Sequence, residues 1–260
     1  ISATGAVNEY VSLGGSINTN TELKAGVYVV NSHLTIPQGV RLTIAPGAVL
    51  KFASNSYLSV SGDLVARGES DNPIIFTALT DDSIGGDTNG DGPSVGSSGY
   101  WDRILINGTA NSSISQLNYV KVKYAGSSNN GSVYLASSDV PVLNSLIQFG
   151  SSDGIYADQS NSLIQNNTLS DHLYDGIHSE SGSPSFIGNT INGSRHGIYT
   201  RNTDIREIHN NSISQNSGYG IYFENAQATP TITGNIIVDN DIALRIPASA
   251  MPDSSNTLAP

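Results

Sequence analysis

The hexapeptide Asp87-Thr88-Asn89-Gly90-Asp91-Gly92 places oxygen ligands at alternate positions and a glycine where the chain must turn sharply. That spacing fits the first half of a calcium loop, D-x-[DN]-x-[DN]-G, whose side chains converge on one hard cation. The bidentate acid usual at the twelfth position of such a loop is absent, because Ser98 stands there. Asp81 and Asp82 lie just upstream and can complete the shell. The pattern predicts calcium held by Asp81, Asp82, Asp87, Asn89 and Asp91, ordering a long polar insertion over 80–100. The plainer alternative is a solvated acidic turn.

A second set of residues shares one spacing. Tyr134, Tyr156, His178, Tyr199 and Tyr222 each follow a short apolar step, as in Gly154-Ile155-Tyr156 and Gly197-Ile198-Tyr199. Two residues further on stand Ala136, Asp158, Glu180, Arg201 and Glu224. If Ile155 points inward, strand alternation turns Tyr156 and Asp158 outward. Stacking then aligns the aromatics in one stripe and the polar residues in another. Asp153, Asp175, His196 and Tyr219 make a third column at the corner. Such a face suits a sugar chain, with rings against pyranose faces and flanking groups on hydroxyls. A structural ladder is the alternative, since same-face aromatic pairs also stabilise neighbouring strands. The ligand-binding set is therefore Tyr134, Tyr156, His178, Tyr199, Arg201, Tyr222 and Glu224. Asp158, Glu180 and His178 are the weak catalytic candidates, because paired carboxylates one coil apart suit glycoside hydrolysis.

What must position these residues is a repeat. The apolar centres at 133, 155, 177, 198, 221 and 242 are separated by 22, 22, 21, 23 and 21 residues. A parallel series, Ser145, Asn167, Asn189, Asn211 and Asn235, keeps nearly the same period. Each unit holds two or three short strands divided by Gly, Ser, Asn and Asp, and no unit carries a helical pattern. A lone unit cannot satisfy its strand edges, whereas stacked units pair each strand with its copy about 4.8 Å away. The fold predicted is an all-β, single-stranded parallel β-helix of about ten coils of roughly 22 residues. Residues 1–26 are expected to cap it, 27–246 to form the solenoid, and 247–260 to cap the last coil or lead onward.

Composition closes off other classes. With 13% charged residues and a net charge of -11, the chain lacks the basic surface that nucleic-acid binding needs. No apolar run reaches the roughly 20 residues of a membrane helix. Zero Cys excludes disulfides, zinc–thiolate sites and cysteine catalysis. The start at Ile1 rather than Met suggests a mature product or an excised piece of a longer chain with flanking domains.

Leu34-Thr-Ile-Pro-Gln-Gly-Val-Arg-Leu-Thr-Ile-Ala-Pro-Gly-Ala-Val-Leu-Lys-Phe52, Leu64-Val-Ala-Arg-Gly68 and Pro73-Ile-Ile-Phe-Thr77 resemble right-handed parallel β-helix proteins of the bacterial cell surface. The later Gly-Ile-Tyr and Asn-x-Ile copies are similar to repeats of the pectate-lyase-like superfamily. That resemblance implies a right-handed sense for the coil, an extracellular or cell-surface location, and a fold shared by lyases, hydrolases, epimerases, adhesins and tailspikes. Asn202-Thr203-Asp204 matches one polygalacturonase element, without the Gly-His-Gly or Arg-Ile-Lys that should accompany it, and reads as a polar turn. The function expected is a non-catalytic module binding carbohydrate, a polysaccharide or cell-surface glycan, or mediating adhesion. A polysaccharide-degrading lyase or hydrolase and a plain spacer are the alternatives.

Overall fold

The computed structural model describes residues 9–128, 130–225, 230–247 and 252–259, so parts of both expected caps lie outside the described residues. Strands of two to eleven residues follow one another, and no helix occurs among the described residues. No helix is therefore long and apolar enough to cross a membrane. Every strand pair is parallel, joining one coil to the next. Three stacks result. One face carries Val133–Ala136, Ile155–Asp158, Ile177–Glu180, Ile198–Arg201 and Tyr219–Glu224. A second carries Val142–Leu143, Leu163–Gln165, Ser185–Ile187, Glu207–His209 and Thr231–Thr233. The third carries Leu146–Gln148, Thr168–Ser170, Thr190–Asn192, Ser212–Ser214 and Ile236–Val238. All three continue into the first half of the chain, down to Val11–Ser16 and Thr21–Leu23 in the expected cap.

From Gln116–Asn118 to Ile236–Val238, most strands are short because the residue that follows has a left-handed backbone. One such column is Tyr119, Asn144, Asn166, Gly188, Asn210 and Gly234, with φ between 50° and 65°. Similar columns follow the other two faces, at Ser137, Gln159, Ser181 and Asn202, and at Phe149, Asp171, Gly193 and Gln215. Asn, Asp and Gly tolerate that region best, which explains their recurrence in the sequence. Inward residues such as Ile155, Ile177, Ile198 and Ile221 are fully buried, and with Ile164, Phe186 and Ile208 they form one continuous core.

The Gly of each Gly-Ile-Tyr step has a packing cause. A Cβ at Gly176 would lie 2.2 Å from Ile191 Cγ2, and one at Gly197 2.3 Å from Ile213 Cγ2. The last sequence copy shifts register. Leu244, not Ile242, lies opposite Ile221, while Ile242 pairs with Tyr219 and is 43% exposed. The apolar pair on either side of Ala243 made the two alignments equivalent in sequence.

The 80–100 insertion sits over the face that includes Ala48–Phe52 and Ile74–Ala78. Lys51, fully buried, donates from Nζ to the Gly86 carbonyl and lies 3.6 Å from Asp82 Oδ1. Trp101 closes the excursion by stacking on Phe52, with ring centroids 4.2 Å apart, and by donating Nε1–H to Lys123 O at 2.7 Å.

Candidate functional site

The outward stripe forms as the repeat requires. Tyr134↔Tyr156↔His178↔Tyr199↔Tyr222 are direct partners in successive coils. Ring centroids are 5.0, 4.6, 4.8 and 5.2 Å apart in that order. Tyr134 and Tyr156 stack face to face at 18°, while the next three contacts are tilted or edge-on, at 45°, 62° and 54°. At these centroid spacings no pyranose ring fits between successive rings, so the sugar stacking drawn from sequence would have to lie across the outside of the ladder.

The hydroxyls are tied as well. Tyr156 donates to Glu180 Oε2 at 3.0 Å, Tyr134 reaches Asp158 at 3.4 Å, and Tyr199 donates to Glu224. Burial, then the carboxylate acceptor, pushes the Tyr156 and Tyr199 hydroxyls above the ordinary phenol range. Arg201 forks onto Glu180, with Nε 3.1 Å from Oε1. Burial favours the neutral acid at Glu180, but hydrogen bonds from Arg201 and Tyr156 outweigh it and hold the carboxyl below its usual range. A carboxylate held ionised is poorly suited to general-acid work. Asp158 and Glu180 serve the ladder as acceptors. Asn202-Thr203-Asp204 is the turn after Arg201, with Asn202 left-handed and the Thr203 hydroxyl on Ser179 O and Arg201 O.

Beside the stripe, at the corner, the structure builds a small cleft. Ser152, Asp153, Tyr174, His178 and Arg195 line a cavity of about 250 Å³. His178 Nδ1 lies 3.1 Å from Asp153 Oδ2, and its Nε2 is closed from solvent without a hydrogen-bond partner. Arg195 grips Asp175 with Nε and Nη2 at 3.1 and 2.9 Å, and its guanidinium lies 5.0 Å from the Tyr174 ring centroid. Asp153 Oδ1 accepts the Asp175 backbone N–H at 2.9 Å. Burial pushes the Asp175 carboxyl up to about 6, although Arg195 pulls the other way. Desolvation wins because Asp175 is fully buried, while the Arg195 side chain is 45% exposed and spreads its charge into water. Burial, with Arg195 adding repulsion, pulls His196 down to about 4. Arg195 and Arg201 are thus each matched by an acid, Asp175 and Glu180.

Among the described residues, two clusters bring ligand atoms within 4.8 Å of one another: Asp153, Asp175 and His178, and Asp82, Asp87 and Asp91. In the first, the Arg195 fork on Asp175 opposes a cation. In the second, Asp87 accepts the N–H groups of Gly90 and Gly92 at 2.7 and 3.0 Å, which hold it below the carboxylate range despite some desolvation. Asp81 is turned away from that group. It is buried under the insertion, accepting from Thr77 and Ser83 and pairing with Lys123 at 3.1 Å. Asn89 donates to Asp91 at 2.8 Å.

The Asp153–His178 and Asp175–Arg195 pairings escaped the sequence, although the columns that hold them were visible. The partners lie 25 and 20 residues apart in different columns, so the pairing depends on which way each corner side chain turns.

A family profile described as a right handed beta helix region matches residues 129–257, and one described as a pectate-lyase like beta helix domain matches 15–136. Among curated proteins, the chain is 35% identical over 77 residues to Protein bark beetle of Drosophila melanogaster. That stretch is 30% of this chain and spans about 2% of the relative's length. Among solved structures, the periplasmic alginate epimerase AlgG aligns at 9% identity and a TM-score of 0.42, covering 96% of this chain and 82% of that one. The Azotobacter vinelandii mannuronan C-5 epimerase AlgE6 A-module aligns at 13% identity and a TM-score of 0.36, covering 95% and 91%.

Proposed function

We propose that this chain, which belongs to the right-handed parallel β-helix proteins of the pectate-lyase-like type, binds an extended polysaccharide along the Tyr/His face. The observation that carries this is the cleft of Asp153, Tyr174, His178 and Arg195 opening beside the phenol–carboxylate pairs Tyr134–Asp158, Tyr156–Glu180 and Tyr199–Glu224. Planar donors and acceptors next to aromatic edges match the hydroxyl pattern of a sugar chain, and a few placed polar groups are what fix a ligand's orientation. On this reading the protein is a recognition or adhesion module outside the cell, within a longer chain, and calcium stiffens its insertion at Asp82, Asp87 and Asp91.

The test is retention on a panel of immobilised neutral and acidic polysaccharides. Arg195→Ala and Tyr174→Ala, which alter partly exposed groups, should lower retention at least tenfold. If both variants bind like the parent, or the parent binds nothing, the face is structural.

One observation favours a second reading. Asp153 orients His178 as a partner orients a general base, and buried polar atoms without partners cluster at working sites. An acid–base step would follow where a bound glycan shifts the neighbouring Tyr156 or Tyr199 ring and uncovers His178 Nε2, which then moves the proton. New chain ends, or unsaturated ends seen by ultraviolet absorbance, would appear on incubation and vanish in His178→Asn. A polymer recovered unchanged would remove this reading while leaving the first.

A further inference from the structure

The aromatic line does not stop at Tyr134. His33, Tyr57 and Arg103 occupy one column in three successive coils, since Leu34, Leu58 and Ile104, the residues that follow them, are register partners. His33 and Tyr57 stack with centroids 3.9 Å apart. The column that holds Tyr134 runs instead through Leu105 and Ser59, two residues along the same strands. The aromatic line therefore jogs sideways by two residues at the coil of Arg103 and Leu105, where neither column carries an aromatic ring.

The jog has a consequence for ring faces. His33 covers Tyr57 from the N-terminal side, and Tyr156 covers Tyr134 from the C-terminal side. The opposite faces of Tyr57 and Tyr134 are turned toward the interrupted coil, two rungs or about 10 Å apart along the axis, and the Arg103 guanidinium lies over the Tyr134 ring from within it. Between them is a cavity of about 330 Å³ lined by Tyr57, Asp102, Arg103, Leu105, Asn130 and Tyr134. Arg103 forks onto Asp102, with Nε on Oδ1 at 3.0 Å and Nη2 on Oδ2 at 3.2 Å, and its guanidinium stands 5.9 Å from the Tyr134 centroid. Ser128 Oγ bonds both members of the fork.

We infer that this jog is a second subsite, taking one neutral sugar ring of the polysaccharide bound at the Arg195 cleft; it rests on that proposed binding function. A pyranose offers apolar C–H faces and equatorial hydroxyls. Leu105 and the Tyr57 ring take the first, and the Asp102–Arg103 fork, which lies over Tyr134, takes the second. The charge of Arg103 is matched by Asp102, so the fork has no net charge to spend on a carboxylate, which makes the ring a neutral one. The two clefts share their chemistry, an acid–arginine fork beside a tyrosine ring. They differ in that the Arg195 cleft adds His178, whereas the jog adds an apolar wall.

The experiment measures calorimetric affinity for β-1,4-linked gluco-, manno- and xylo-oligosaccharides of two to eight units, and for matching uronate oligomers. The proteins are the parent chain, Tyr57→Ala, Arg103→Lys and Arg195→Ala, each checked for an unchanged β-type circular dichroism spectrum. A second subsite predicts that parent affinity for a neutral series rises at least tenfold once the oligomer spans both clefts. Tyr57→Ala and Arg103→Lys should abolish that rise and leave the shortest oligomers unaffected, whereas Arg195→Ala weakens every length. Parent-like binding of every length by Tyr57→Ala and Arg103→Lys, with Arg195→Ala still impaired, overturns the subsite and leaves the proposed function standing. Length dependence confined to uronate oligomers overturns its neutral character. Absence of binding by the parent to every oligomer and polysaccharide overturns both.

Discussion

One inward slot divides the molecule in two. Following the pairing register, the slot holds Ala48, Ile74 and Val120 in the first half, all buried and apolar. From Ser145 onward the same slot holds Asn167, Asn189, Asn211 and Asn235. There each backbone N–H and each Nδ2 donates to the Oδ1 one coil on, as Asn167 does to Asn189 at 3.0 and 3.1 Å. Nδ2 also reaches the carbonyl of the preceding coil, Asn189 to Ile164 O at 2.9 Å. An apolar slot is content with any well-fitting neighbour. An amide slot is satisfied only by an amide at one position in the next coil, so it fixes the period. The first half accordingly carries the insertion and the jog, and the second half carries the regular repeat.

Breaking the amide ladder should have the largest effect. Asn189→Leu orphans the buried Asn167 N–H, takes the Asn189 donor from the Ile164 carbonyl, and removes one of the two acceptors of Asn167 Nδ2, which keeps Val142 O. At about 1–3 kcal/mol for each polar group left short of a partner, the loss is on the order of 5 kcal/mol, read from urea unfolding. A change below about 1 kcal/mol would mean the ladder is ornament. The matching change in the apolar half is Trp101→Ala, which removes the ring stacked on Phe52 and its bond to Lys123 O. About 3–5 kcal/mol is expected for such a cavity. Here the insertion should also become open to proteases, whereas Asn189→Leu should leave it closed.

A subtler probe lies at the other corner, where His172 shares a column with Ser194, Asn216 and Asn240. His172 imitates an amide. Its Nδ1 accepts the Gly150 N–H at 3.3 Å and its Nε2–H faces Ile147 O at 3.0 Å, the two roles Asn216 fills with Oδ1 and Nδ2. Burial pulls His172 down to about 4. The unfolded chain takes up a proton near pH 6.5 that the folded chain refuses, so this residue costs stability as pH falls from 6.5 toward 4. By pH 4 the loss is on the order of 3 kcal/mol. His172→Asn keeps both bonds and cannot titrate. Its stability should equal the parent's at pH 7 and exceed it increasingly below pH 6. The raised Asp175 and lowered His196 are common to both proteins and cancel in the difference. A constant gap across pH would show that His172 is not the titrating group.

The division also explains what the sequence could show. The Asn series and the Gly-Ile-Tyr steps are legible because amide slots and close-packed glycines admit few substitutes, so the fold could be read from residues 131–245. Ala48, Ile74 and Val120 repeat nothing visible, since many apolar residues fit one slot. The outward direction of Tyr156 and Asp158 followed from alternation. The tilts of the rings, the Asp153–His178 and Asp175–Arg195 pairs, and buried Lys51 did not. Each depends on how a side chain turns once its neighbours are in place, and strand periodicity carries no such information. The stripe was therefore legible as a line of residues and not as a surface.

The smallest expected effect concerns the insertion, where the apolar half meets charge. Asp82, Asp87 and Asp91 can share a cation, but Lys51 Nζ already stands 3.6 Å from Asp82 Oδ1. Burial lowers the Lys51 pKa and the neighbouring carboxylates resist that, so its charge is held in place partly by the acids a cation would recruit. Calcium must compete with an internal ammonium, which points to the weak end of calcium-site affinities, around millimolar. Saturating calcium should raise the melting temperature by about 3 °C, and chelator should reverse it. Asp87→Ala should abolish the response, because Asp87 offers the cluster its only carboxylate ordered by two backbone N–H groups of the loop itself. Lys51→Met should enlarge the response by removing the competitor, even as the parent packing is disturbed. A melting temperature indifferent to calcium in both the parent and Lys51→Met would leave the loop held by its lysines alone.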